Sequence, residues 1–293
     1  MRILVSGGTG FIGRPLVKAL REAGHKVIVL TRQSALVTSG NGYIDSIYEL
    51  DARPDAWINL AGAGLADKRW TPKYLEEIRE SRIDLSRQIT DFLLERQWIP
   101  EAVLSGSAIG FYGASETTVF DETSPNGSGF SATLCSDWEA SVNPLADAGA
   151  RLVLLRTGVV LDKESGAYPQ MTGSFKAFVK TWLGSGKQWL SWIHRSDAVS
   201  AIIHILDTPR LSGPVNLTAP APVTHRGFAD AVGRTKPTLM AMGVPATVMR
   251  IMVGGVADEL LLVGQQVLPE KLRASWFIFA YPSISGAIAA IES

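Results

Sequence analysis

The chain has 293 residues, more than one hydrophobic core usually organises, so we expect one large domain that carries a smaller lobe. Lysine plus arginine equal aspartate plus glutamate at 28 each, which excludes the broad positive field of a nucleic-acid-binding protein. No apolar run reaches the roughly 18 residues of a membrane span, and strand-like sequence begins at Arg2 without room for a signal peptide. We therefore expect a cytoplasmic protein without a membrane partner. The single cysteine, Cys135, cannot form an internal disulfide, and the four histidines lack ligand spacing, so no metal site is expected.

The predicted elements begin with a β-turn-α-β unit. A short apolar run at residues 3–5, a helical pattern over 11–23 and a second apolar run at 27–30 make up this unit. Four later runs, at residues 56–60, 102–105, 151–155 and 215–217, lack polar alternation and are typical of buried parallel strands. A long helix is predicted with Thr71 as N-cap, Pro72 as first helical residue and an apolar stripe at Leu75, Ile78, Leu85, Ile89 and Phe92. Alternating strands and helices predict an α/β fold, a Rossmann-type doubly wound parallel sheet.

The second half of the chain predicts a smaller lobe. Residues 166–191 are rich in glycine and aromatic residues, and a clear helix resumes with Asp197 as its predicted N-cap. Residues 218–222 are turn-rich, and the remainder predicts short helices without a regular strand pattern. We assign residues 1–165, completed by roughly 192–217, to the Rossmann core, and residues 166–191 and 218–293 to a substrate lobe. Residues 33–55 are irregular, so the third strand is not placed.

The strongest functional signal is the segment Gly7-Gly-Thr-Gly10-Phe-Ile-Gly13, between the first strand and the first helix. A glycine at position 7 permits a tight turn, one at position 10 lets a pyrophosphate approach the backbone, and one at position 13 allows close helix–sheet contact. The helix N-terminus adds N–H donors and partial positive charge. The segment therefore predicts a dinucleotide-binding turn.

The spacing of these glycines, with Asn59-Leu-Ala-Gly62 after a later strand, resembles the extended short-chain dehydrogenase/reductase superfamily. Five strings resemble the atypical epimerase-family proteins of bacteria and their human relatives: GAGLADKRW at 62–70, SGSAIGFYG at 105–113, LRTGVVL at 155–161, GSGKQWLSWIH at 184–194 and LPEKL at 268–272. The resemblance implies a Rossmann fold, bound NADP(H) and a substrate that is not assigned. One departure is Ser275-Trp276, where similar proteins tend to have glycine and phenylalanine.

The resemblance also indicates which residues bind the cofactor. The second strand ends in Thr31-Arg32, where NAD-specific relatives carry an acidic residue, and an arginine there suits the 2′-phosphate of NADP. The predicted cofactor-binding residues are Gly7, Thr9, Gly10, Phe11, Ile12, Gly13, Thr31, Arg32, Leu60, Ala61 and Gly62.

Catalytic residues are harder to place. In the superfamily a tyrosine and a lysine four residues later transfer the proton and hold the nicotinamide ribose. Alignment on Trp138-Glu139 puts Ser131 and Cys135 at these two positions, and neither can replace its counterpart directly. The remaining catalytic candidates are Ser107, Tyr112 and Cys135. Each has a structural alternative: Ser107 as a serine at a strand end, Tyr112 as a packed aromatic side chain, and Cys135 as a small buried apolar side chain.

Two further motifs are interpreted as structural. His194 resembles a residue that fixes the lobe at the start of a helix, and Asp121-Glu122 is interpreted as part of a solvated loop. Two functions stay open: an NADP(H)-dependent oxidoreductase or epimerase-like enzyme acting on a small carbonyl or sugar-like compound, and a non-catalytic NADP(H)-binding or redox-sensing protein. A homodimer is compatible with the sequence, which does not name the oligomeric state.

Overall fold

A seven-stranded parallel sheet forms the centre of the computed structural model, which describes residues 1–38, 40–65, 67–255, 257, 259 and 262–293. The strands are β1 (Arg2–Ser6), β2 (Lys26–Leu30), β3 (Tyr43–Ile44), β4 (Ala56–Asn59), β5 (Ala102–Ala108), β6 (Val119–Phe120), β7 (Arg151–Thr157), β8 (Val159–Leu161), β9 (Val179–Leu183), β10 (Trp189–Leu190), β11 (Trp192–His194), β12 (Gly213–Leu217), β13 (Val223–Thr224), β14 (Met240–Val244) and β15 (Gln266–Val267). The helices are α1 (Gly13–Glu22), α2 (Pro72–Arg79), α3 (Leu85–Glu95), α4 (Phe130–Ala140), α5 (Asn143–Asp147), α6 (Ala167–Met171), α7 (Arg195–Leu206), α8 (His225–Gly233), α9 (Ala246–Val253), α10 (Glu270–Ala274) and α11 (Ile284–Glu292).

The order of the central sheet is β12-β7-β5-β4-β1-β2-β3, and every pair in it is parallel. The winding reverses at β1, which pairs with β2 on one side and with β4 on the other. In such sheets a ligand binds in the crevice beyond the carboxyl ends of the strands at this reversal. The predicted doubly wound α/β sheet is therefore confirmed, and β3 supplies the strand that the sequence did not place.

Both faces of the sheet are covered by helices. Side chains of α1 and α7 pack on one face, and side chains of α3 and α5 pack on the other. The central strands carry apolar side chains on both faces, so Ile3, Leu4 and Val5 are all fully buried. This packing holds the carboxyl ends of β1, β4 and β5 at one edge of the domain.

A third apolar cluster lies outside the central sheet. It combines residues between 161 and 192 with residues between 219 and 291, including Tyr168, Trp192, Phe228 and Ile288. The clustering is consistent with the predicted lobe, and the division into domains stays a prediction. Positions 256, 258, 260 and 261 of that lobe, and position 66 in the string at 62–70, lie outside the described residues.

Two local predictions were wrong. Helix α7 has His194 as its N-cap, and its Nδ1 accepts a hydrogen bond from the Ser196 N–H at 3.2 Å. Asp197 instead accepts 2.9 Å bonds from the N–H groups of Ala280 and Tyr281, so its carboxylate holds the C-terminal segment rather than the helix end. Strand β14 pairs in parallel with β9 where only helices were predicted. The predicted long helix is confirmed, with Thr71 as N-cap and Pro72 as first residue, and a π-helical turn at Glu80–Asp84 joins α2 to α3.

Candidate cofactor site

The glycine turn is shaped by two glycines that the fold itself requires. Gly7 has a φ of +79°, and a Cβ atom there would lie 2.5 Å from the carbonyl oxygen of Leu60. A Cβ atom on Gly13 would lie 2.1 Å from the carbonyl oxygen of Gly7. At Gly10 the nearest atom to such a Cβ is the same carbonyl oxygen, at 3.2 Å. Packing therefore demands Gly7 and Gly13, whereas Gly10 mainly keeps the backbone of the turn open to a ligand.

Backbone donors without an acceptor lie beside that opening. The N–H of Gly10 donates to the carbonyl of Gly7, and the N–H of Arg14 donates to the carbonyl of Gly10, each at 3.0 Å. Within the described residues, the N–H groups of Phe11 and Ile12 have no acceptor. Helix α1 begins directly after them without a side-chain cap or an acidic residue in its first turn. The turn therefore offers donors and partial positive charge to an anion.

The end of β2 adds a free cation beside this turn. Thr31 is buried, its N–H donates to the Ile44 carbonyl at 2.9 Å, and its hydroxyl accepts a 3.1 Å bond from the Gln33 N–H. Arg32 follows it and is exposed, with no hydrogen bond or ion pair to the described part of the chain. A surface groove of about 490 Å³ lies alongside, and its lining includes Gly8, Thr9, Arg14, Lys18, Gln33 and Tyr43.

The end of β4 is tied to the glycine turn by a buried asparagine. The side-chain oxygen of Asn59 accepts bonds from the Ser6 hydroxyl at 2.7 Å and the Ala61 N–H at 3.3 Å. Its amide group donates to the Ser86 hydroxyl at 2.8 Å, and the Leu60 N–H donates to the Ser6 carbonyl at 2.8 Å. Residues Leu60, Ala61 and Gly62 therefore lie at the same sheet edge as the turn. The structure brings together all three predicted cofactor segments.

A buried arginine that we did not predict lies at this edge. Arg82, in the π-helical turn, is 9% exposed, and a Cβ atom on Gly62 would lie 2.9 Å from its guanidinium carbon. The guanidinium lies 5.2 Å from the Trp138 ring and makes one long hydrogen bond, 3.4 Å from Nη1 to the Ile78 carbonyl. No carboxylate of the described residues pairs with it, and burial lowers its pKa.

An unpaired buried cation is costly, so Arg82 is suited to an anionic or polar ligand. A sequence signal was available: position 82 follows Ile78 by four residues and falls on the apolar stripe of the predicted helix. A charged side chain on such a stripe is seldom fully buried without a partner.

Two catalytic candidates share one buried hydrogen-bond network. The Ser107 hydroxyl donates to Glu139 at 2.6 Å, and Arg156 holds the same carboxylate with two bonds of 2.8 and 2.9 Å. Arg156 also donates to the Tyr112 hydroxyl at 3.1 Å, and that hydroxyl donates to Asn216 at 2.7 Å. Burial raises the pKa of Tyr112. The network joins α4 to the carboxyl ends of β5, β7 and β12.

The third candidate, Cys135, is enclosed. Its side chain is 4% exposed, and burial raises its pKa to about 11. The thiol lies 3.7 Å from where a Cβ on Gly110 would be. Near neutral pH it is therefore a protonated, packed thiol.

The interpretation of Asp121-Glu122 as a solvated loop was wrong for Glu122. Its side chain is buried, and its carboxylate accepts from the N–H groups of Asn216 at 3.1 Å and Lys271 at 3.2 Å. Burial raises its pKa. Glu122 joins the end of β12 to α10, which a turn-rich local sequence gave no reason to expect. His194 has the predicted structural role, since it caps α7 and its ring lies 4.1 Å from the Tyr281 ring.

A glycine turn at the reversal of a parallel sheet, with donors and cations around it, defines a dinucleotide-binding protein of the short-chain dehydrogenase/reductase class. Residues 3–217 match the model of the NAD dependent epimerase/dehydratase family, and residues 244–291 match a domain of unknown function. The chain belongs to the NAD-dependent epimerase/dehydratase family, which confirms the resemblance stated from the sequence.

Relatives match over nearly the whole chain. An epimerase family protein of Mycobacterium bovis is 36% identical over 290 residues, covering 98% of this chain and 96% of the relative. A chloroplastic homologue of epimerase family protein SDR39U1 from Arabidopsis thaliana is 35% identical, covering 99% of this chain and 86% of the relative. The crystal structure of human epimerase family protein SDR39U1 with NADPH superposes with a TM-score of 0.90 at 31% identity, covering 100% of this chain and 99% of the human chain.

The described ranges contain neither a metal-binding cluster nor a membrane-spanning helix. They hold no group of three or more histidine, cysteine, aspartate or glutamate side chains that could bind a metal ion. Their helices include none with the length and apolar character needed to cross a membrane.

Proposed function

We propose that this chain binds NADP(H), with the pyrophosphate over the glycine turn and the 2′-phosphate at Arg32. The observation that carries the proposal is the turn itself, where Gly10 leaves the backbone open and two N–H groups have no acceptor in the described residues. Arg32 and Arg82 add positive charge on the β2 side and the β4 side of the turn. The human relative crystallised with NADPH supports the same cofactor.

We further propose that the protein is an oxidoreductase or epimerase-like enzyme for a small carbonyl or sugar-like compound. The substrate would lie between the carboxyl edge of the sheet and the lobe, where open α/β sheets bind their ligands. Bound NADP(H) supplies a hydride donor or acceptor at its nicotinamide. Ser107, Tyr112 and Cys135 stay the predicted catalytic residues, and a cytoplasmic location and a homodimer stay predictions as well.

A second function, a non-catalytic NADP(H)-binding or redox-sensing protein, is favoured by a specific observation. The hydroxyl groups of Ser107 and Tyr112 already donate to Glu139 and Asn216, and Cys135 is buried with a raised pKa. All three groups are buried, and both hydroxyl protons are already engaged in hydrogen bonds. The two functions share the cofactor and differ in turnover.

The cofactor assignment is tested by titrating the protein with NADPH and NADH. NADPH should bind more tightly, and Arg32→Ala should weaken NADPH about tenfold to a hundredfold while changing NADH little, because a charge-assisted hydrogen bond contributes about 1.5–3 kcal/mol. Arg53→Ala is the matched control: this arginine is also exposed but precedes β4, at the opposite edge of the sheet. Equal affinities of the parent for the two cofactors would refute the assignment.

A further inference from the structure

The first turn of α4 is contacted by a carboxylate from the C-terminal segment. Oε1 of Glu259 accepts from the Phe130 N–H at 3.4 Å, and Oε2 accepts from the Ser131 N–H at 3.4 Å and the Ser131 hydroxyl at 3.3 Å. The residue before the helix is Gly129, which has no side chain with which to cap it. Glu259 therefore completes this helix end from more than a hundred residues away in the sequence.

The position of this pair in the fold indicates what it faces. Gly110 lies two residues after the end of β5, and a Cβ atom on it would lie 3.1 Å from Cβ of Ser131 and 3.7 Å from the Cys135 thiol. Ser131 and Cys135 thus share one face of α4, at the carboxyl end of β5. A dinucleotide bound over the glycine turn extends toward β2 with one half and toward β4 and β5 with the other. With the adenosine half at β2 and Arg32, as proposed above, the nicotinamide half would lie on the side of Ser131.

We propose that Ser131 and Glu259 bind the hydroxyl groups of the nicotinamide ribose of NADP(H); the inference rests on the proposed function. A ribose offers two neighbouring O–H donors, which a carboxylate accepts well, as acidic residues do at the adenosine ribose of NAD-binding proteins. The three bonds that Glu259 makes to other described residues are long for hydrogen bonds, so its oxygens retain the capacity to accept shorter ones.

The pair also accounts for the altered motif. By alignment, Ser131 and Cys135 stand where the superfamily has the tyrosine and the lysine that holds this ribose. Cys135 carries no charge to replace the lysine. The Glu259 carboxylate, from the C-terminal segment, replaces the lysine at the ribose. It is negative where the lysine is positive, so it accepts hydrogen bonds from the ribose hydroxyl groups.

The test compares two ligands. NADPH contains the nicotinamide ribose, whereas adenosine 2′,5′-bisphosphate retains the 2′-phosphate but lacks the nicotinamide half. Glu259→Ala should weaken NADPH about tenfold or more and leave adenosine 2′,5′-bisphosphate unchanged. Glu259→Gln, whose amide oxygen can still accept one bond and cap α4, should weaken NADPH by a smaller factor. Ser131→Ala should also weaken NADPH alone.

The matched control is Glu270→Ala, which removes a carboxylate of the same C-terminal region whose ion pair among the described residues is with the neighbouring Arg273. It should change neither affinity. Unchanged NADPH binding in Glu259→Ala, or an equal loss for both ligands in Glu259→Ala and Glu259→Gln, overturns the ribose assignment and leaves Glu259 as a helix cap only. A parent protein that binds neither ligand refutes the proposed function instead, so the two failures are distinguishable.

Discussion

Replacing Gly10 by valine should separate cofactor binding from folding. A Cβ atom at this position meets only the Gly7 carbonyl oxygen, at 3.2 Å, so the turn needs to shift by a few tenths of an ångström. The two methyl groups of valine would, however, fill the space over the N–H groups of Phe11 and Ile12. Losing two charge-assisted hydrogen bonds at about 1.5–3 kcal/mol each amounts to about 3–6 kcal/mol. We therefore expect the NADPH affinity to fall by a factor of at least about one hundred.

Calorimetric titration with NADPH and urea unfolding, run on the same samples, measure the two effects. Gly10→Val should keep an unfolding midpoint near that of the parent. Gly7→Ala is the contrasting variant, because its Cβ would lie 2.5 Å from the Leu60 backbone and its φ of +79° disfavours a side chain, so it should unfold at clearly lower urea concentration. If Gly10→Val bound NADPH as tightly as the parent, the pyrophosphate would bind elsewhere.

Two further predictions concern Cys135 and His194. Cys135→Ser should leave NADPH affinity unchanged, and the folded parent should react slowly with a thiol reagent at pH 8 because burial raises the thiol pKa to about 11. Little NADPH oxidation should occur with a panel of aldehydes, ketones and nucleotide sugars. Rapid turnover that disappears in Cys135→Ser would show that the thiol is catalytic. Burial lowers the pKa of His194 below its unfolded value of about 6.5, so the unfolded chain takes up the proton first and stability should fall as the pH drops below that value. The variant His194→Asn keeps a capping side chain but does not titrate. Urea unfolding at about pH 5.5 and about pH 7.5 should therefore show a smaller pH-dependent loss of stability in the variant than in the parent. An identical loss in both proteins would contradict the reasoning.

The sequence predicted the central sheet well because its strands are buried on both faces. Continuous apolar runs such as residues 3–5 leave little ambiguity, and a glycine turn between a strand and a helix fixes the first βαβ unit. Strand β3 is two residues long at the sheet edge, and β14 carries exposed methionines, so neither has a buried pattern to detect. The N-cap of α7 was misplaced because an aspartate near a helix start usually caps it, whereas Asp197 bonds residues 83 and 84 positions later.

The sequence predicted the parts of the candidate site that are formed by a local backbone turn. It did not predict the side chains that matter because distant segments meet. Gly7, Gly10 and Gly13 have a spacing that can be compared directly with a known turn. Arg82 becomes informative only when its lack of a carboxylate partner is visible, and Glu259 only when the C-terminal segment and α4 are seen to meet. Contacts between charged side chains that are far apart in the sequence produce no periodic pattern from which they could be predicted.

The buried network at the carboxyl ends of β5, β7 and β12 limits how proton transfer can occur. Tyr112 both donates to Asn216 and accepts from Arg156, and Ser107 donates to Glu139, so a substrate that needs a proton from either must first break a bond in a buried setting. Leaving one such group unpaired costs about 1–3 kcal/mol, which corresponds to a rate lower by about 5-fold to 150-fold. The network therefore holds these side chains in place, and the same hydrogen bonds make proton donation harder. We therefore predict slow turnover even with a hydride donor well placed, and a fast reaction would require a proton donor outside the network.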